Sequence, residues 1–235
     1  MPPTIAIIPA RTGSKGIPNK NFKPLAGVPT YWRAVRVAEE LGIPSYITTD
    51  DEFYRGPFAP SSIHFLYAPA PLHTDTCSMI DVVKDVLARV PGPADEIVVL
   101  LQPTQPLRRA DDVMRAIQLL KRNRHADSVV SVIPLPRTYA PEFICEIKNA
   151  DVPYVQRAQV SNLDHVGTMR GFPGTRQSIP QPYVRDGTVY AFRRGTVSKY
   201  GDIYGNTTLP VIIDPAHTCS LDTMADWDEA ARRLA

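Results

Sequence analysis

The stretch "IAIIPARTGSKGIPNKN", residues 5–21, decides the fold class. Its first part is almost wholly apolar, the composition of a strand buried on both faces rather than the alternation of a half-exposed one. Its second part turns abruptly to Pro, Arg, Gly, Ser, Lys and Asn. A strand buried on both faces is what a parallel sheet uses, and ligands of such sheets sit at the carboxyl ends of the strands. Gly13 and Gly16 permit close backbone approach and positive φ, and successive loop amides can line an anion-binding concavity. Arg11 offers a planar fork for phosphate oxygens, while Lys15 and Lys20 add point charges. Composition alone leaves two readings open, a phosphate cradle and a solvated basic loop. The P-loop pattern G-x-x-x-x-G-K-[ST] is absent, and the lack of G-x-G-x-x-G disfavours a dinucleotide site.

Outward from this stretch, strands and helices alternate. Residues 30–42 place Trp32, Val35, Ala38 and Leu41 at helical spacing, with Gly42 at a C-cap position. "SYITT" reads as a strand ending in Asp50 and Asp51, and "IHFLYA" as a third. Residues 76–90 repeat apolar positions at three-and-four spacing and read as a helix. "EIVVLL", a helix over 110–122 with Asp111 and Asp112 in its first turn, and "DSVVSVI" continue the alternation. The order predicts an α/β fold, a mostly parallel sheet with helices on both faces. The opening loop, Asp50–Asp51 and "QPTQPLR" then share one edge. Residues 134–182 break the pattern with Pro, Gly, Arg and Asn and a weak strand at "EFICEI"; they read as an excursion, a flap or dimerisation arm. "GTVYAF", "LPVIID" and a helix from about residue 222 complete what reads as one domain over 1–235.

Bulk composition excludes several classes. A formal net charge of +2 gives no basis for nucleic-acid or membrane-surface binding. No apolar run approaches the roughly 20 residues of a membrane helix. The amino terminus lacks the pattern of a secretion signal. Cys77, Cys145 and Cys219 are odd in number and far apart, which suits a reducing cytoplasm, and they read as core residues. His73 and His165 have no close second ligand and are assigned no chemistry.

"IIPARTGSKGIPNKNFKPLAGVP" resembles the amino-terminal signature of the cytidylyltransferases that activate sialic acid and related eight- or nine-carbon keto sugar acids, including the CMP-Kdo synthetase branch. "ITTDD", "PLHTDTCSMIDVV", "LLQPTQPLR", "RQSIPQPYVRDGTVYAF" and "CSLDTMADWDEA" resemble the family's later motifs, in its order and over nearly the whole chain. The resemblance implies a Rossmann-like nucleotidyltransferase fold, a nucleoside triphosphate donor (CTP), a keto sugar acid acceptor, Mg2+, and a homodimer. It places Arg11, Ser14, Lys15, Lys20, Asn21 and Gln102 on the nucleotide. Gln102, Arg176, Gln177, Gln181, Tyr183 and Arg185 fall on the sugar side, with Arg176 or Arg185 for the acid's carboxylate. Arg11, Lys15 and Asp222 would be catalytic, with Asp222 also the metal ligand.

This chain departs from the pattern at several places. The family's Asp-Ile-Asp reads Ser220-Leu221-Asp222 here, so metal would lean on Asp222, water and phosphate, or on Asp214 or Asp226. Ala68 and Met79 replace an arginine and a serine near the base, leaving the base open. Asp186 replaces an asparagine on the sugar side, leaving the sugar open. Asp222 also reads as a helix N-cap. A weakened relative that binds ligand for regulation or assembly is the competing class, with Ser220 as the feature that favours it. The glycine-rich signature of sugar-1-phosphate nucleotidyltransferases and the D-x-D of retaining glycosyltransferases are absent.

Overall fold

The computed structural model describes residues 2–14, 16–51, 62–74, 76–140, 145–148, 154–157 and 180–235. The apolar run of the opening stretch forms β1 (Thr4–Pro9), with Ile5, Ala6, Ile7 and Ile8 all buried. A short hairpin, β2 (Pro24–Leu25) and β3 (Val28–Pro29), leads into α1 (Thr30–Glu40). Next come β4 (Ser45–Thr49), β5 (Ile63–Tyr67), α2 (Met79–Arg89), β6 (Ile97–Leu100), α3 (Ala110–Arg122) and β7 (Ser128–Pro134). A second hairpin, β8 (Cys145–Lys148) and β9 (Tyr154–Arg157), precedes β10 (Tyr183–Arg193). The chain closes with α4 (Arg194–Tyr200), β11 (Thr208–Ile212) and α5 (Met224–Leu234).

Seven strands form one sheet in the order β11-β7-β10-β6-β1-β4-β5. β1 lies between β4 and β6, parallel to both. β4–β5 and β7–β11 are also parallel, whereas β10 runs antiparallel to β6. The chain moves from β1 outward through β4 to β5, then returns to β6 on the other flank. The carboxyl edge of β1 and β6 is therefore a topological switch point, where open α/β sheets leave a crevice for ligands.

Strand pleating divides the core between two faces. Ile5, Ile7, Val98 and Leu100 pack with Val83 and Val86 of α2 and Val197 of α4. Ala6 and Ile8 alternate to the opposite face; α1 packs on β1 and β4, and α3 on β6 and β11. Helices on both faces and a mostly parallel sheet match the sequence-based expectation.

Three features were not foreseen. One is the antiparallel direction of β10. Another is the β2–β3 hairpin, and the third is α4. That helix is held by Arg194, whose guanidinium pairs with Glu96 and donates to the carbonyls of Leu87 (3.0 Å) and Val90 (2.8 Å). Two predicted helix starts also move. α2 begins at Met79 because the Ser78 hydroxyl accepts the Asp81 N–H, and α5 begins at Met224 under a Thr223 cap. The chain folds as two compact units, residues 1–132 with 186–235, and residues 133–185. Among the described residues, no helix is long and apolar enough to cross a membrane.

Candidate active site

The basic loop after β1 is built against the carboxyl-terminal segment that precedes α5. Ile17 is fully buried in a cluster with Leu25, Leu221, Trp227 and Ala230, and Cys219 packs on it. Burying side chains of this size stabilises the contact by about 1.5–3 kcal/mol each. Gly16 is where the two backbones meet, since a Cβ there would stand 2.5 Å from the Asp222 carbonyl oxygen. That close approach is why the position requires glycine. Lys20 donates to the Leu221 carbonyl and its ammonium lies 3.8 Å from the Asp222 carboxylate. Burial pushes the Lys20 ammonium below the ordinary lysine range, with Asp222 opposing and Arg11 adding to the shift. Among the described residues of this loop, Asn19 is left-handed, at φ 53°.

Two further ties fix the loop's shape. The Thr12 N–H and hydroxyl both donate to Asp50 at the end of β4, at 2.7 Å each. The Asn21 side-chain amide donates to the Arg11 carbonyl (2.8 Å), and its own backbone carbonyl accepts from the Thr30 hydroxyl and the Tyr31 N–H. Asn21 is 6% exposed, so its side chain acts as a strut within the loop as well as a wall of the cavity.

The loop after β6 joins the same assembly. Gln105, 3% exposed, donates to the Asp186 carbonyl (2.7 Å) and accepts from the Thr218 hydroxyl (3.1 Å) and the Cys219 N–H (3.3 Å). The Leu221 N–H donates to the Thr104 carbonyl. Arg108 is buried and donates to the carbonyls of Thr188 and Gln102, holding the Gln102 backbone in place. Burial pushes the Arg108 guanidinium down to about 9, with Asp186 and Tyr190 opposing. The Asp186 carboxylate accepts from the Thr188 hydroxyl and its other oxygen is buried.

These segments enclose a cavity of about 390 Å³ at the carboxyl edge of β1, β4 and β6. That size suits a small-molecule site. Arg11, Ser14, Lys20, Asn21, Gln102 and Asp222, which the family resemblance groups, line it together. Ala68, Leu72, Met79 and Val82 contribute the apolar wall, all from the segment joining β5 to α2 and from α2 itself. Lys15, Arg176, Gln177 and His165 lie outside the described residues. Gln181, Tyr183 and Arg185 belong to the second unit, where the Gln181 amide donates to the Leu135 carbonyl (2.6 Å) and Tyr183 is exposed.

The cysteine expectation needs correction at one position. Cys77 lines the cavity instead of the core, because α2 starts at Met79, three residues later than its apolar spacing suggested. The cap reading of Asp222 is also overturned. The Thr223 hydroxyl accepts the Asp226 N–H, and the Asp226 carboxylate accepts the Thr223 N–H at 2.7 Å, a complete capping box. Asp226 is thereby engaged, and Asp214 caps its own turn by accepting from the Ala216 N–H (2.8 Å). Asp222, its side chain 72% exposed, is left on the cavity with the Ser220 hydroxyl donating to it at 2.8 Å. Sequence reasoning missed Thr12, Gln105 and Arg108, whose partners are distant in the chain.

Known proteins resemble this chain in sequence and in fold. The chain is 27% identical over 227 residues to an N-acylneuraminate cytidylyltransferase of Streptococcus agalactiae serotype III, covering 95% of this chain and 51% of that protein. It thus spans about half the length of that relative. A CMP-N,N'-diacetyllegionaminic acid synthase of Legionella pneumophila is 26% identical, with 95% of this chain and 92% of that protein covered. Among solved structures, a CMP:2-keto-3-deoxy-manno-octonic acid synthetase complexed with CTP superposes with TM-score 0.64 at 19% identity, covering 99% and 98% of the two chains, and shares the fold. The model of the cytidylyltransferase family matches residues 5–205, and the chain belongs to that family.

Proposed function

We propose that this protein transfers a cytidylyl group from CTP to the anomeric hydroxyl of a sialic-acid-like keto sugar acid, releasing pyrophosphate. The observation that carries this reading is the convergence of Arg11, Ser14, Lys20, Gln102 and Asp222 on one cavity at the switch point of the sheet. The hydroxyl oxygen forms a bond to the α-phosphorus and loses its proton to water, while the bond from that phosphorus to the bridging oxygen breaks. Such chemistry is mostly positioning and charge neutralisation. Arg11 and Lys20, with Lys15 from the motif, hold the triphosphate. Gln102 orients the nucleotide against the sugar. Residues Arg176, Gln177, Gln181, Tyr183 and Arg185 are assigned to the sugar acid by resemblance, and the excursion 134–182 to homodimer assembly.

Mg2+ fits the residues present. The cation commonly keeps several waters and takes one or two carboxylates plus substrate phosphates. Asp222 supplies one exposed carboxylate on the cavity, and among the described residues no cluster of three or more His, Cys, Asp or Glu offers an all-protein cage. Bound there, Mg2+ would neutralise phosphate charge. A reaction consuming a nucleoside triphosphate suits the cytoplasm.

A second reading rests on Ser220, which offers Asp222 a hydroxyl where a second carboxylate would strengthen metal binding. It makes the protein a ligand-binding relative without turnover. A pyrophosphate-release screen of the four nucleoside triphosphates against a panel of keto sugar acids separates the two. Release with CTP supports the transferase. Nucleotide binding with no release from any pair would replace it with the second reading.

A further inference from the structure

Thr48 is 3% exposed, and its hydroxyl oxygen is buried with no hydrogen-bond partner among the described residues. Leaving such a group unsatisfied is costly, and native proteins rarely do so. Its backbone is satisfied, since the Thr48 carbonyl accepts the Ala10 N–H at 2.8 Å. Its neighbour Thr49 has a partner, the Asp51 N–H, at 3.2 Å. Thr4 shares the unpartnered condition but stands at the amino end of β1. Thr48 stands at the carboxyl end of β4 and lines the cavity.

Register fixes which way the side chain points. Thr48 pairs with Pro9 of β1 and with Leu66 of β5. Two residues earlier on the same face is Tyr46, which, like Leu66 and Met79, packs against the buried cluster that contains Val83 and Val86 of α2. By the alternation of a strand, the Thr48 side chain lies on that face, one pleat nearer the cavity. The neighbouring cavity wall there is apolar, formed by Ala68, Leu72, Met79 and Val82. An apolar wall with one buried hydroxyl suits a flat heterocycle whose edge carries hydrogen-bonding groups. The triphosphate is accounted for elsewhere, by the basic loop.

We infer that the Thr48 hydroxyl is a specificity-determining contact of this site, hydrogen-bonding the edge of the pyrimidine base of the bound nucleotide. The inference rests on the nucleotide reading above. A hydroxyl both donates and accepts, so it can meet either an amino or a carbonyl group of the base.

The test is calorimetric titration of CTP and of inorganic tripolyphosphate, each with Mg2+, into wild type, Thr48→Val and Thr48→Ser. Thr48→Val preserves shape and removes the hydroxyl. It should weaken CTP binding about tenfold and leave tripolyphosphate binding unchanged, while Thr48→Ser should hold CTP within about twofold of wild type. The ligand-free thermal midpoint of Thr48→Val should equal or exceed that of wild type, because the hydroxyl satisfies no protein group. Equal CTP affinity in wild type and Thr48→Val would overturn the inference, as would equal weakening of CTP and tripolyphosphate. Failure of the nucleotide reading itself looks different: wild type would bind CTP no better than tripolyphosphate, and the inference would fall with it.

Discussion

Replacing Gly16 by alanine probes the contact that joins the basic loop to the carboxyl-terminal segment. The added Cβ would stand 2.5 Å from the Asp222 carbonyl oxygen, roughly 1 Å inside ordinary van der Waals contact. The obstructing atom is backbone, so no side-chain rotation relieves it. Either the loop lifts or the segment retreats, and Arg11 and Lys20 separate from Asp222 by a comparable distance. Overpacking of this kind costs about 1–3 kcal/mol, and for a domain of this size each kcal/mol lowers the thermal midpoint by about 2–4 °C. A misplacement near 1 Å costs about 100-fold in turnover. Gly13→Ala is the matched control, because a Cβ there meets nothing within 4 Å. Differential scanning fluorimetry and pyrophosphate release measure the two effects. A Gly16→Ala protein with wild-type midpoint and turnover, or a Gly13→Ala protein equally impaired, would refute the reasoning.

Other perturbations test other parts of the site. Burial lowers the Lys20 pKa below its ordinary value of 10.5, so the charge needed for phosphate is lost at lower pH than for an exposed lysine. Activity should fall on the alkaline side below pH 10.5, and Lys20→Arg should remove that limb from the pH profile. The linked stability runs the other way: the folded state disfavours the charged form, so stability should rise with pH between the folded pKa and 10.5. Gln105→Leu removes hydrogen bonds to three backbone or side-chain partners from a buried position; chemical denaturation should show a loss of about 2–4 kcal/mol, with a larger loss in turnover than Thr12→Val causes. Asp222→Asn should raise the Mg2+ concentration for half-maximal pyrophosphate release at least about tenfold, and Ser220→Asp should lower it; an unchanged Mg2+ dependence in both would remove Asp222 from the metal.

The succession of strands along the chain was legible because strands buried on both faces carry near-continuous apolar runs, as in Ile5–Ile8 and Ile97–Leu101, whereas their order within the sheet was not. The direction of β10 was not, since an apolar run reads the same in either orientation. α4 spans only Arg194–Tyr200, too short for helical periodicity to register; Gly201, at φ 78°, was the one local sign of its end. The grouping of Arg11, Ser14, Lys20, Asn21, Gln102 and Asp222 followed from motif resemblance, because Asp222 stands before α5, ten residues past the end of β11, where no strand-end argument reaches it. The residues that hold that group together did not. Gln105 reaches Asp186 and Thr218, Thr12 reaches Asp50, and Arg108 reaches Thr188, all pairings across long stretches of chain. The Asp222 cap reading could have been settled earlier, because Thr223 and Asp226 stand at the three-residue spacing of a capping box.

The central claim is that the α-phosphate and its nucleoside pass to the sugar acid. It is tested most directly by following α-labelled CTP in the presence of a keto sugar acid and Mg2+. The account predicts label in a sugar nucleotide, one pyrophosphate released for each, and loss of both products in Arg11→Ala. Label recovered only in CTP or free CMP, with every acid in the panel unmodified, would contradict it.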